Sequence, residues 1–368
     1  MDFKAAALGA LTALLLGGSA LASTLDEGEL GWDASLRREI AALHCPEAGQ
    51  LALHVKDLAS GREVSLHADE ACYLASGVKL PVAIEVLRHV EQGLLSLEAT
   101  VRLEAADLID GSPRTRLRAP GSDIGVRELL DMMLIHSDNT ATDLLIREVG
   151  LDAVNAGVKR LVPDGFCDIT TLGDVRRHAY SAVHPGAFRL SNSDLVLLRA
   201  IPGDEAKVRR LRSLLGPRPE DACTSSIDVA FSSYYATRLN SATLTAFGEL
   251  LESIATGEAL DPDSTRLLLD VMVRAETGKE RIRAGLPPDV VWAHKTGTQL
   301  ARVADFGLAW PRAAPERKVV VVATASGFAS LEDAEDALRG VGEALKRSGI
   351  FAAHHATITG PPSEGRRR

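Results

Sequence analysis

Aromatic residues make up only 4% of this chain, and no tract of lysine or arginine is interleaved with them. The net charge is −9. A general nucleic-acid binder needs a cationic face for phosphates and rings for bases, so that class is excluded. Cysteine is scarce as well. Cys45, Cys72, Cys167 and Cys223 are the four present, and none sits in a C-x-x-C pair, so neither a dithiol redox site nor a zinc-cysteine site is expected. Ten histidines show no H-E-x-x-H spacing, and no glycine-rich loop precedes a helix as a phosphate cradle would require. No metal and no cofactor are expected. Past the first two dozen residues, no apolar run approaches the ~20 residues of a spanning helix.

What remains is ordinary for a globular protein: 46% apolar residues, 25% charged residues, and 368 residues in which to bury a large core. The start, "MDFKAAALGALTALLLGGSALAS", has a short charged opening, an apolar stretch from Ala5 to Leu16 and the small residues Ala20-Leu21-Ala22. That layout is a cleavable export signal over residues 1–22, although Asp2 offsets Lys4. A secreted or periplasmic protein without a membrane anchor follows, expected to act as a monomer. Export permits disulfides. Cys45–Cys72 with Cys167–Cys223 is one of three pairings, and four free thiols is the alternative.

Along the mature chain, "DASLRREIAALH" reads as a helix capped by Asp33. "QLALHVKDL" and "VSLHA" alternate as a hairpin, "CYLAS" follows, and a helix is expected from about Ser76 to Gln92. The pattern from residue 93 to 278 is mostly helical. Strands return in "VVWAHKTGT", "RVADFGLAW" and "KVVVVATAS" before a last helix, "SLEDAEDALRGVGEALKRSG". The expected fold class is therefore α+β. An antiparallel sheet built from both chain ends (31–92 and 279–350) carries flanking helices, and a helical subdomain (93–278) is inserted, leaving 351–368 as a flexible tail.

Three short patterns carry chemistry. Ser76-Gly77-Val78-Lys79 is the single S-x-x-K, Ser137-Asp138-Asn139 the single S-D-N, and Lys295-Thr296-Gly297 the single K-T-G. Each alone has a plain reading: a helix cap, a turn, a strand with a bend. Three together in this order are a signature. With "TGKERIRAGLPPDVVWAHKTGT" and "VRELLDMMLIHSDNTATDLLIREVG", they make the chain resemble the class A β-lactamase-like serine hydrolases, over most of the stretch from Asp33 to Ser348.

The resemblance implies a β-lactamase/transpeptidase-like fold with the active site between the subdomains. It implies Ser76 as nucleophile, Lys79 as its proton acceptor and Ser137 as a relay toward the leaving nitrogen. Asn139 would orient the substrate amide, while Lys295, Thr296 and Gly297 would border the site and hold a substrate carboxylate. Backbone N–H groups of Ser76 and Thr298 would take the oxyanion. The implied substrate is a small β-lactam or acyl amide.

One element of the family pattern is missing. Its members carry a water-activating glutamate in a D-x-T-R-L-D-R-x-E stretch. Laid over Asp168-Ile169-Thr170-Thr171-Leu172, that stretch puts Arg176 at the glutamate and Tyr180 at the asparagine that follows. An extra helical segment is expected around 174–235. Asp174 and His178 are candidate replacement bases, with Glu220 and Asp221 behind them. His294 is expected to be a satisfied neighbour of Lys295. Arg302 is either a carboxylate binder or a solvated arginine. The alternatives to a β-lactamase are a penicillin-binding D-alanyl peptidase or esterase on the same machinery, and a protein that stays acylated as a trap or sensor.

Overall fold

The computed structural model describes residues 31–352 except 44, 47–48, 217–225 and 301. The expected leader, the tail beyond 352, and Cys223, Glu220 and Asp221 lie outside the described residues.

Helix α1 (Trp32–Ala41) leads into β1 (Gln50–Asp57) and β2 (Glu63–Leu66). The short β3 (Cys72–Tyr73) precedes α2 (Lys79–Glu91). The middle of the chain carries two small strands, β4 (Thr100–Arg102) and β5 (Asp123–Gly125), then α3 (Val126–Ile135), α4 (Asn139–Val149), α5 (Leu151–Leu161) and α6 (Leu172–Ser181). Helices α7 (Asn192–Ala200), α8 (Asp204–Leu215) and α9 (Ile227–Ala236) follow, then β6 (Ser241–Ala242), α10 (Leu244–Thr256) and α11 (Pro262–Val273). The chain closes with α12 (Ile282–Gly285), β7 (Val290–Gln299), β8 (Arg302–Pro311), β9 (Val319–Ser326) and α13 (Leu331–Ser348).

The main sheet has the order β2-β1-β9-β8-β7 and is antiparallel throughout. It joins strands from both chain ends, which is the α+β architecture expected from the order of elements. Both faces are covered, and the strand sequence reflects it. In "VVVVATAS", Val319, Val321, Ala323 and Ala325 enter the core under α1 and α13, while Val320 and Val322 enter the core on the other side. A strand buried on both faces reads as an unbroken apolar run instead of an alternation.

Two starts differ from the sequence reading. Asp33 does not cap α1: Gly31 takes the cap position and Asp33, in the first turn, pairs with Arg62 at 3.3 Å. Helix α2 begins at Lys79, and Ser76 lies in a 3-10 turn over Ala75–Val78. Ala75 has φ +49°, a left-handed conformation that an alanine side chain gives no hint of in the sequence.

The segment from α6 to α9 builds a core of its own. Tyr180, Leu195, Leu211, Phe231 and Tyr234 pack together with Tyr73 and Ala75, the residues just ahead of Ser76. Tyr73 meets Tyr234 edge-on at 5.6 Å between ring centres. This region is thus attached to the turn that presents the serine. Among the described residues no helix is long and apolar enough to cross a membrane.

Candidate active site

The 3-10 turn and the first turn of α2 bring Ser76 and Lys79 onto one face, as an i, i+3 pair must be. Lys79 is fully buried, with its Nζ 2.9 Å from Ser76 Oγ, 2.7 Å from Asn139 Oδ1, 2.8 Å from the Ser137 carbonyl and 3.2 Å from Ser137 Oγ. Burial disfavours the ammonium and lowers the Lys79 pKa to about 7, with Asp138 and Asp143 pulling the other way. A lysine tuned to that value exchanges a proton readily near neutrality.

Ser137 leaves α3 in a left-handed conformation, φ +57°. A strain of this kind costs on the order of 1–3 kcal/mol and must be held from outside. Asp138 does the holding. It is fully buried and caps α4 by accepting from Ala141 N at 2.9 Å. It also accepts from Arg114 N, Thr115 N and the Thr115 hydroxyl. Asp138→Ala strands two buried amide donors, a part-buried one and a buried hydroxyl. The expected loss is about 3 kcal/mol or more, read as a lower urea midpoint with an unchanged slope. An unchanged midpoint would contradict the claim that Asp138 braces the Ser137 turn.

On the other wall, β7 supplies Lys295, also fully buried, with Nζ 3.1 Å from Ser137 Oγ. Burial, then Lys79 and Arg281, drive the Lys295 pKa well below its ordinary value, with Asp305 opposing. Ser76, Lys79, Ser137 and Lys295 therefore form one continuous hydrogen-bonded chain. The Thr296 hydroxyl meets Thr277 Oγ1 at 2.6 Å. Gly297 has to be glycine, because a Cβ there would lie 2.5 Å from the Leu74 carbonyl. Its absence lets β7 run against the serine turn, placing Thr298 on the same cavity as Ser76.

The sequence reading did not single out Arg281. Its side chain is buried and donates to the Gly297 carbonyl at 3.0 Å, the Ala304 carbonyl at 2.8 Å and Thr298 Oγ1 at 2.6 Å, with Glu335 beyond. It pins the end of β7 from behind. Its signal in the sequence is the first arginine of "TGKERIRAGLP", the segment that leads into the K-T-G strand.

Ser76, Asn139 and Thr298 open onto a cavity of about 610 Å³ whose far side is formed by α6–α9. Arg176 and Tyr180, which the overlay puts at the glutamate and the asparagine, line it. Arg176 grips Asp110 with Nε at 2.7 Å and Nη2 at 2.5 Å. Asp110 lines the cavity too, and its carbonyl accepts from Asn139 Nδ2 at 2.8 Å.

The two candidate bases are elsewhere. Asp174 pairs with Arg177 at 3.0 Å, and the His178 ring packs edge-on against Phe188 at 4.9 Å; neither lines the cavity. The reason is helical phase. On α6, Arg176 and Tyr180 lie four residues apart on the inward face, while Asp174 and His178 each sit about 160° around the helix from Arg176. Asp143 is a carboxylate the sequence reading passed over. It accepts from Leu172 N at 2.7 Å and Gly173 N at 3.0 Å, tying α6 to α4. Burial raises its pKa to about 6 despite those two amides.

His294 donates Nδ1–H to Asp305 Oδ1 at 2.6 Å, a satisfied neighbour of Lys295. Arg302 is half-buried, stacks 3.9 Å over the Tyr235 ring and does not line the Ser76 cavity. Cys45 and Cys72 are free thiols, against the Cys45–Cys72 pairing: Cys72 is tied into β3 opposite Ala242, and burial raises its thiol to about 12. Cys167 is also free among the described residues.

Comparison with known proteins agrees with this geometry. A family model described as the beta-lactamase enzyme family matches residues 35–348. The chain is 29% identical to the beta-lactamase AST-1 of Nocardia asteroides, over 80% of this chain and 76% of that protein. It is 27% identical to the beta-lactamase L2 of Stenotrophomonas maltophilia, over 94% of this chain and 97% of that one. Among solved structures, a mutant of the class A beta-lactamase of the last common ancestor of Gram-negative bacteria superposes with a TM-score of 0.64 at 25% identity, covering 87% of this chain and 99% of that one. A mutant of PBP-A, solved as an acyl-enzyme complex with penicillin G, superposes with a TM-score of 0.63 at 17% identity, covering 85% and 95%, and shares the fold. With the family match running through all three motif segments, the chain belongs to the beta-lactamase enzyme family.

Proposed function

We propose that this exported enzyme opens β-lactam amides through an acyl-enzyme on Ser76, and that acylation outruns deacylation. The observation that carries the reading is the unbroken chain from Ser76 Oγ through Lys79 Nζ and Ser137 Oγ to Lys295 Nζ. Neutral Lys79 takes the Ser76 proton as Oγ attacks the lactam carbonyl carbon. The N–H groups of Ser76 and Thr298 hold the resulting oxyanion. As the carbonyl carbon–nitrogen bond breaks, a proton returns through Ser137 to the nitrogen, leaving an ester on Ser76. Asn139 orients the side-chain amide, and Lys295 with Thr296 holds the substrate carboxylate beside the ring.

Hydrolysis of that ester needs a base for water. The single carboxylate lining the cavity among the described residues is Asp110, and the Arg176 guanidinium engages both its oxygens. A water in the cavity would have to compete with that guanidinium for either oxygen. The expected result of mixing the protein with benzylpenicillin is a one-to-one covalent adduct, visible by intact mass, that persists for minutes. Free product accumulating with no adduct at any time point would contradict slow deacylation. Neither adduct nor product would remove β-lactams as substrates. The same machinery acting on a D-alanyl peptide or ester is the second reading, and Arg176 in place of a basic carboxylate is what favours it.

A further inference from the structure

The cavity wall facing Ser76 is cationic in a chain whose net charge is −9. Its charged lining residues are Arg176, Arg199, Lys207 and Asp110. Three cations against one carboxylate leave a net charge of two positive, and the partners are unequally committed. Arg176 spends Nε and Nη2 on Asp110. Arg199 lies 3.8 Å from the same carboxylate with 63% of its side chain exposed. Lys207, half-buried on α8, has no hydrogen bond or ion pair from its side chain among the described residues. Ile201, Phe231 and Leu300 line the same space and supply apolar surface next to the charges.

A positive wall of this kind has two chemical consequences. It disfavours a cation in the acyl part of a substrate, and it favours an anion that can reach Arg199 and Lys207 without displacing Asp110 from Arg176. Lys295 and Thr296, the proposed holders of the carboxylate next to the lactam ring, are not among the residues that line this cavity. The acyl side chain would then point toward α6–α9.

We propose that Arg199 and Lys207, set against the fixed Arg176–Asp110 pair, form a subsite for an anionic acyl side chain, so that the preferred substrates are dianions carrying a carboxylate at each end. The proposal deepens the Ser76 reading and rests on it for the orientation of the substrate. The Asp110–Arg176 pair serves as the floor of this subsite, and the insertion from α7 to α9 exists around it as a specificity wall.

The test separates binding from chemistry. In Ser76→Ala protein, which cannot be acylated at that position, dissociation constants are measured by calorimetry for benzylpenicillin and for α-carboxybenzylpenicillin, which differ by one carboxylate on the acyl side chain. The carboxylated compound is expected to bind about tenfold more tightly at low salt, with the ratio shrinking as salt screens partly exposed charges. Adding Arg199→Gln and Lys207→Gln is expected to bring the ratio close to one. Equal affinities, no binding of either compound, or a ratio indifferent to the double substitution would each overturn the subsite. A preserved ratio with no adduct on protein retaining Ser76 would instead refute the acyl-enzyme reading and leave the subsite standing.

Discussion

Replacing Ser76 with alanine is expected to lower kcat/KM for a penicillin by on the order of 10⁴-fold or more and to abolish the covalent adduct. The size follows from what remains. Lys79, Ser137 and Lys295 stay in place, but the proton acceptor then has no nucleophile to activate, and what persists is the polarising effect of the oxyanion donors. The fold should hardly notice. Ser76 is half-buried, and its side chain meets Lys79 alone among the described hydrogen bonds. Unfolding stability is expected to stay within about 1 kcal/mol. A variant that stays folded and keeps substantial turnover would show that Ser76 is not the attacking group.

The second large effect belongs to Lys79. With its pKa lowered to about 7, the neutral amine that accepts the serine proton grows in as pH rises through 7. The acylation rate is therefore expected to climb with pH along a limb centred near 7. Lys295 is driven well below the ordinary lysine value as well, by burial and then by the charges of Lys79 and Arg281. Because the two amines share Ser137, the limb reports the pair and not Lys79 alone. Lys79→Ala is expected to cost 10²- to 10⁴-fold in acylation, on the order of a lost general base, and to erase the acid limb. A pH-independent rate between 5 and 9 in the unaltered enzyme would sink the assignment of Lys79 as base. The same shift also affects folding. A lysine whose folded pKa lies below its unfolded value penalises the fold fully at pH below about 7. That penalty is relieved as pH rises from about 7 toward the unfolded lysine pKa of 10.5, so Lys79 contributes a stability that increases with pH in that window.

The proposed acylation residues were legible because each motif is short, local and chemically demanding: a serine and a lysine one helical turn apart announce themselves without tertiary information. The antiparallel sheet was legible for a similar reason, since β1 and the apolar run of β9 are strong local patterns. What stayed hidden depends on long-range packing. Asp110 and Arg176 are 66 residues apart in sequence, and nothing local to either indicates that the pair forms one wall of the cavity. Arg199 and Lys207 read as the polar faces of ordinary surface helices until α7 and α8 are docked. The proposed bases Asp174 and His178 were chosen by chemistry and by nearness to the overlay, and helical phase turned them away while bringing Arg176 and Tyr180 inward. The late start of α2 escaped for want of a signal: Ala75 adopts a conformation usually signalled by glycine or asparagine.

The central claim is that Ser76 becomes acylated and stays so long enough to be seen. It is tested most directly by quenching the protein in acid during reaction with benzylpenicillin, digesting with trypsin and mapping the added mass. The account predicts the label on Ser76, within the peptide from Glu63 to Lys79, at close to one equivalent after minutes. A label on another residue, or product released with that peptide never modified, would contradict it.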